Sequence, residues 1–81
     1  MSTTIERVRS FITTNFYVPD KDALADDASL LDQGIVDSTG VLEVVSFLET
    51  EFGIQVGDDE VLPDNLDSVA RIAAFADRKK G

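Results

Sequence analysis

The sequence predicts an all-α fold, a small four-helix bundle of three main helices plus one short helix, with a long loop between helices one and two. Three observations predict it. Apolar residues recur at helical spacing in three separate segments. Residues that start and stop helices bracket those segments. Between the first two lies a run, 18–37, with no long periodic pattern. At 81 residues the chain is expected to be one domain, 1–81, because a second core would not fit.

The first helix is expected over Thr3 to Tyr17. Ile5, Val8, Ile12 and Phe16 fall on one stripe. Thr3-Thr4-Ile5-Glu6 matches a capping box, with Thr3 as cap and Glu6 reaching back to it. Val18-Pro19-Asp20 ends the helix, since proline disfavours the helical conformation of the residue before it. In the loop that follows, Leu24, Leu30, Leu31 and Ile35 are expected to anchor into the core, and Gly34 to mark a turn. The second helix is expected over Ser38 to Phe52. Val41, Val45, Leu48 and Phe52 make its buried stripe with Val44 at the border, while Thr39, Glu43, Ser46 and Thr50 face the other way. Gly53 is placed to cap its C-terminus in the left-handed conformation. Ile54-Gln55-Val56 is short and open to an extended conformation, and Asp58 to Leu62 predicts one helical turn before Pro63. The last helix is expected from about Leu66 to Lys80, capped by Asp64 or Asn65. Leu66, Val69, Ile72, Ala73 and Ala76 form its buried stripe, and Arg78, Lys79 and Lys80 sit where the helix dipole favours cations.

Composition excludes more than it selects. There is no cysteine and no histidine. Thiolate nucleophiles, disulfides, cysteine-based metal sites and Ser-His-Asp chemistry are therefore out of reach. Residues 20–31 fail as a calcium loop, because Leu24, Ala25 and Leu31 occupy its fifth, sixth and twelfth positions. There is no glycine-rich phosphate loop, so an enzyme is not expected. No apolar run reaches the ~18 residues of a membrane span, and the N-terminus lacks the apolar core of a signal peptide, so a cytoplasmic location is expected. Net charge is −9, and between Lys21 and Arg71 there are 13 acids and no base. Nucleic acid and anionic lipid are poor partners for such a surface, and a basic protein surface is a good one. Acids that merely keep a small domain soluble would give the same composition.

One site stands out, at Gly34-Ile35-Val36-Asp37-Ser38-Thr39-Gly40. Asp37 and Ser38 are both good N-caps, and a helix needs only one. If Asp37 caps, the Ser38 hydroxyl has no structural duty and lies at the positive end of the dipole, where an attached phosphate is favoured. Gly40 is a poor helix former, and close approach of another group near Ser38 would account for it. A serine at a helix start is most often a cap and nothing more, and spacing alone leaves both readings standing.

With these residues in view the sequence resembles the acyl carrier proteins over nearly its whole length. The segments Ser29-Leu30-Leu31-Asp32-Gln33-Gly34-Ile35-Val36-Asp37-Ser38 and Leu48-Glu49-Thr50-Glu51-Phe52-Gly53-Ile54 are similar to the family's signatures. The resemblance implies a four-helix bundle whose Ser38 carries 4′-phosphopantetheine through a phosphodiester, installed by a separate Mg²⁺-dependent phosphopantetheinyl transferase. Asp37 is then the motif acid. An acyl or aminoacyl group would ride as a thioester on the arm, which supplies the thiol the chain lacks, and tethering would raise its effective concentration at each docked enzyme. The resemblance implies a stand-alone monomer, with partner contacts on the second helix at Thr39, Leu42, Glu43, Val44, Phe47 and Glu49. Burial of Phe47 in the core competes with that role. The partners are an acyl- or aminoacyl-activating ligase and acyl-processing enzymes with basic docking surfaces. Thr39 stands where fatty-acid carriers usually have Leu. The run Asp37-Ser38-Thr39-Gly40 is closer to carriers of the D-alanyl or aminoacyl kind. The alternative is an unmodified carrier-fold adaptor or regulatory subunit that binds a basic partner through its acidic second helix.

Overall fold

The computed structural model describes residues 3–20 and 24–80, and they form an all-helical bundle. Helix α1 runs Thr4–Asn15, α2 Ser38–Phe52, α3 Pro63–Leu66 and α4 Val69–Lys80, with a single 3₁₀ turn at Asp58–Glu60. Among the described residues there is no strand, and no helix is long and apolar enough to cross a membrane.

The capping box of α1 forms as the sequence predicts. The Thr3 hydroxyl accepts from the Glu6 N–H at 3.2 Å, and the Glu6 carboxylate accepts from the Thr3 N–H at 3.2 Å. The helix closes at Asn15, two residues before the expected end, where Phe16 takes extended backbone and its N–H donates to the Ile12 carbonyl. Val8 and Ile12 are fully buried, and Ile5 and Phe16 pack at the edge of the core.

Between α1 and α2, Leu24, Leu30, Ile35 and Val36 are buried. Leu31 is not: it stands 39% exposed, against expectation. The loop is held at this point through the Leu31 amide, which donates to the Asp67 carboxylate at 3.0 Å, and not through its side chain. Gly34 makes the predicted turn with φ +70°.

In α2 the centre of burial is Gly40, Val44 and Leu48, with Val41, Val45 and Phe52 half-buried. The buried face is thus rotated from the predicted stripe, and Gly40 is the reason. A Cβ at Gly40 would lie 2.8 Å from Cε1 of Phe16, so the absent side chain lets α1 close onto the first turn of α2. The close approach expected at Gly40 is that of the protein's own ring and not of an external group. Gly53 ends the helix in the left-handed conformation.

The last helix begins at Val69, three residues after the expected start, and Leu66 instead ends a short separate helix, α3. Pro63 occupies the first turn of α3, a position that costs it no hydrogen bond. Asp64 and Asn65 lie within α3, so neither caps α4. Ser68, buried, takes that role, accepting from the Arg71 N–H at 3.0 Å. The α4 face holds Val69, Ile72, Ala73 and Ala76 as predicted, and adds Phe75, the largest fully buried side chain. α4 packs mainly along α1 and α3.

Candidate attachment site

The start of α2 is built by the residues that precede it. Ile35 and Val36 are buried, and their amides both donate to the Leu30 carbonyl, at 3.0 and 3.2 Å. This fixes the chain as it reaches Asp37. The Asp37 carboxylate accepts from the Gly40 N–H at 2.7 Å, and its backbone is extended, as an N-cap requires. Ser38 is therefore the first residue inside the helix, and it is exposed. Among the described residues no hydrogen bond engages its hydroxyl, or the amides of Ser38 and Thr39. An exposed nucleophilic oxygen thus stands beside two free N–H donors at the positive end of a fifteen-residue helix. The site fits a phosphodiester attached through that oxygen: the link displaces no internal bond, and its negative charge meets the dipole and the free amides.

The six residues expected on the partner face are divided by the structure. Thr39, Leu42, Glu43 and Glu49 are exposed, Leu42 at 64%. Val44 is not on that face. It is 1% exposed, packed in the core because Gly40 turns this side of α2 inward, and it has no surface to offer a partner. Glu49 is exposed but engaged, since its carboxylate accepts from the Val56 N–H at 3.0 Å and holds the extended segment after α2. Phe47 is half-buried. Its ring stacks on Phe11 of α1 with centroids 4.1 Å apart and planes 15° from parallel, and meets Phe52 edge-on at 5.7 Å. The outer edge of that stack lines an open surface cleft of about 290 Å³ with Phe11, Glu43, Ser46, Thr50 and Glu51. Two predicted residues, Glu43 and Phe47, thus share one groove. Phe11 had no sequence signal for this role, because it lies off the α1 stripe. Ser46 and Thr50 were legible as part of the outward face.

The comparisons with known proteins agree with this geometry. A family model described as "Phosphopantetheine attachment site" matches residues 6–76. The chain belongs to that family. It is therefore a carrier protein, and its cofactor is covalent 4′-phosphopantetheine. Among curated proteins it is 31% identical over 80 residues to "Acyl carrier protein" of Zymomonas mobilis subsp. mobilis, covering 99% of each chain. It is 33% identical over 69 residues to "Probable acyl carrier protein PigG" of a Serratia species, covering 85% of this chain and 79% of that protein.

Proposed function

We propose that Ser38 is the residue that carries the phosphopantetheine arm, and that the carrier delivers an acyl or aminoacyl group to partner enzymes without catalysing a reaction itself. The observation that carries this reading is the division of labour at the start of α2. Asp37 closes the helix, and the hydroxyl of Ser38 is exposed and unbonded. In the installing reaction the Ser38 oxygen attacks the β-phosphorus of coenzyme A. The new O–P bond forms as the bond to the leaving adenosine 3′,5′-bisphosphate breaks, and the hydroxyl proton passes to a base of the transferase. The neighbouring Asp37 carboxylate is engaged by the Gly40 N–H as the helix cap, so the base is assigned to the partner. Once attached, the arm's thiol holds the cargo as a thioester.

Thr39, Leu42 and Glu43 form the docking face beside Ser38, and Phe47 continues it into the cleft. The surface is acidic, so the fitting partners are a transferase, an acyl- or aminoacyl-activating ligase and processing enzymes that present basic surfaces. The protein acts as a single-domain monomer in the cytoplasm.

Intact-mass measurement tests the assignment. The protein is incubated with a promiscuous phosphopantetheinyl transferase, Mg²⁺ and coenzyme A. One phosphopantetheine is gained by the wild type and none by Ser38→Ala. A gain retained by folded Ser38→Ala moves the attachment to another residue. No gain by folded wild type with an active transferase favours the unmodified adaptor.

A further inference from the structure

The loop that presents Ser38 is long and carries few anchors. Among its described residues Leu24, Leu30, Ile35 and Val36 are buried and hold it from within. Backbone ordering costs roughly 1–2 kcal/mol per residue, so a run of this length needs further fixation to keep one conformation. The first half of the loop is tied by Arg9, which donates to the Leu24 carbonyl and pairs with Asp26, and by the Ala70 N–H, which donates to the Asp26 carbonyl at 2.8 Å. In the half that leads to Ser38 the ties to the helices converge on one residue at the junction of α3 and α4. Asp67 accepts the Ser29 hydroxyl at 2.7 Å through Oδ2 and the Leu31 N–H at 3.0 Å through Oδ1. Its backbone carbonyl accepts the Leu30 N–H at 2.7 Å. Three consecutive loop residues are thus pinned to one aspartate.

The pinned residues lead directly to the attachment site. The Ser29 hydroxyl, while donating to Asp67, accepts from the Asp32 N–H at 3.1 Å. The carbonyls of Ser29 and Leu31 accept from Gln33 and Gly34, each at 3.1 Å, and the Leu30 carbonyl accepts from Ile35 and Val36. Residues 29–36 therefore form one knitted unit with Asp67 at its entrance and Asp37-Ser38 at its exit. Leu31, whose amide is held by Asp67, keeps its side chain in solvent within this unit.

We propose that Asp67 is a positioning residue for the modification of Ser38: by latching residues 29–31 it holds the loop in the one conformation a transferase can engage. The inference rests on Ser38 being the attachment residue. When the latch is removed, the loop samples other conformations. The competent one becomes a fraction of the population, and the apparent KM rises by the inverse of that fraction while kcat is retained.

The test measures transfer kinetics on the full chain for Asp67→Ala, Asp67→Asn and Ser29→Ala, together with amide hydrogen exchange. Asp67→Ala loses both side-chain bonds, and kcat/KM should fall about tenfold, carried by KM. Asp67→Asn keeps an acceptor for Leu31 and should stay within about threefold of wild type, with Ser29→Ala between the two. Exchange should quicken at Leu31, Ile35 and Val36 while amides such as Ile72 in α4 stay protected. Folded Asp67→Ala with wild-type kcat/KM overturns the proposal, since the apolar anchors then suffice. So does a loss of protection spread equally over α1 and α4, which would make the aspartate a general stabiliser. Should Asp67→Ala fail to fold, Asp67→Asn and Ser29→Ala decide by the same criteria. Should wild type take no arm, the assignment of Ser38 falls, and exchange at Leu31, Ile35 and Val36 still tests the latch: unchanged exchange in a folded variant refutes it.

Discussion

The two ends of the bundle are built on opposite plans. At one end α1 finishes and α2 begins. Phe16 packs into the space left by Gly40, and Asp37 closes the helix. Ser38 stands free there, in a stretch of sequence that holds no Lys or Arg from Asp22 to Ala70. At the other end α1 begins while α2 and α4 finish, and polar contacts are dense. The Thr4 hydroxyl donates to Asp77 at 2.7 Å, Lys80 pairs with Asp77 at 3.3 Å, and Arg7 pairs with Glu51 at 3.4 Å. Lys79 holds Glu60 at 2.9 Å, and the Lys80 ammonium lies 5.0 Å from the centre of the Phe52 ring. Solvent-exposed pairs of this kind contribute little to folding, so stability is not their main consequence. They hold Arg7, Lys79 and Lys80 at this end of the bundle, and under the proposed function the acids of the other end are left to attract an incoming basic surface.

Breaking the attachment end gives the largest effects. Ser38→Ala should abolish arm attachment, yet leave stability within about 0.5 kcal/mol because the hydroxyl makes no bond in the fold; thermal melting beside intact mass checks both halves. Asp37→Ala should cost about 1 kcal/mol through the lost cap, lowering Tm by roughly 4–8 °C. A fall no larger than that of Ser38→Ala would show that the two residues share the capping. Gly40→Ala sets two terms against each other. Helix propensity alone favours alanine by up to about 1 kcal/mol. Contact with Phe16 at 2.8 Å forces a shift that costs about 1–3 kcal/mol, so a net loss near 1 kcal/mol is expected in chemical denaturation. The loss should shrink when Phe16→Leu is added, and a stabilised single variant would mean that the ring swings aside freely.

The smallest effects belong to the opposite end. The Glu60 carboxyl is held below its ordinary value of 4.5, first by the Gly57 N–H and then by Lys79. Asp77 is held below 3.8, first by the Thr4 hydroxyl and then by Lys80. Both groups bind protons more weakly in the folded state than in the unfolded one. Their stabilisation is therefore complete above the ordinary values and is lost as pH falls through the lowered ones. Carboxyl NMR titration should show Glu60 rising in Lys79→Met but staying below 4.5, because its first cause, the backbone bond, remains. A full return to 4.5 would assign the shift to the lysine alone.

The same comparison explains what could be read in the sequence. The α1 stripe, its capping box, the Gly53 stop and the tandem Asp37-Ser38 are local signals, set by residues a few positions apart, and all are found in the structure. The tandem caps showed that one of the two residues was spare, and the structure gives the cap to Asp37; the role of Ser38 came from the family resemblance and not from spacing. Features that depend on distant partners were not legible. Val44 looked like a border residue until Gly40 met Phe16, and Leu31 looked like an anchor until Asp67 took its amide, 36 residues away in sequence. The break between α3 and α4 was hidden because Asp64, Asn65, Asp67 and Ser68 are all competent caps, and burial of Ser68 chose among them.

The assignment of the cap to Asp37 has one more consequence. With the arm on Ser38, as proposed, its attachment would remove no bond from the fold, and the body of the protein is expected to keep the same shape before and after it is armed. A blank copy and a charged copy would then present the same face to a docking enzyme. Such an enzyme must tell them apart by what enters its own active site, and blank copies compete for the same berths until they are converted.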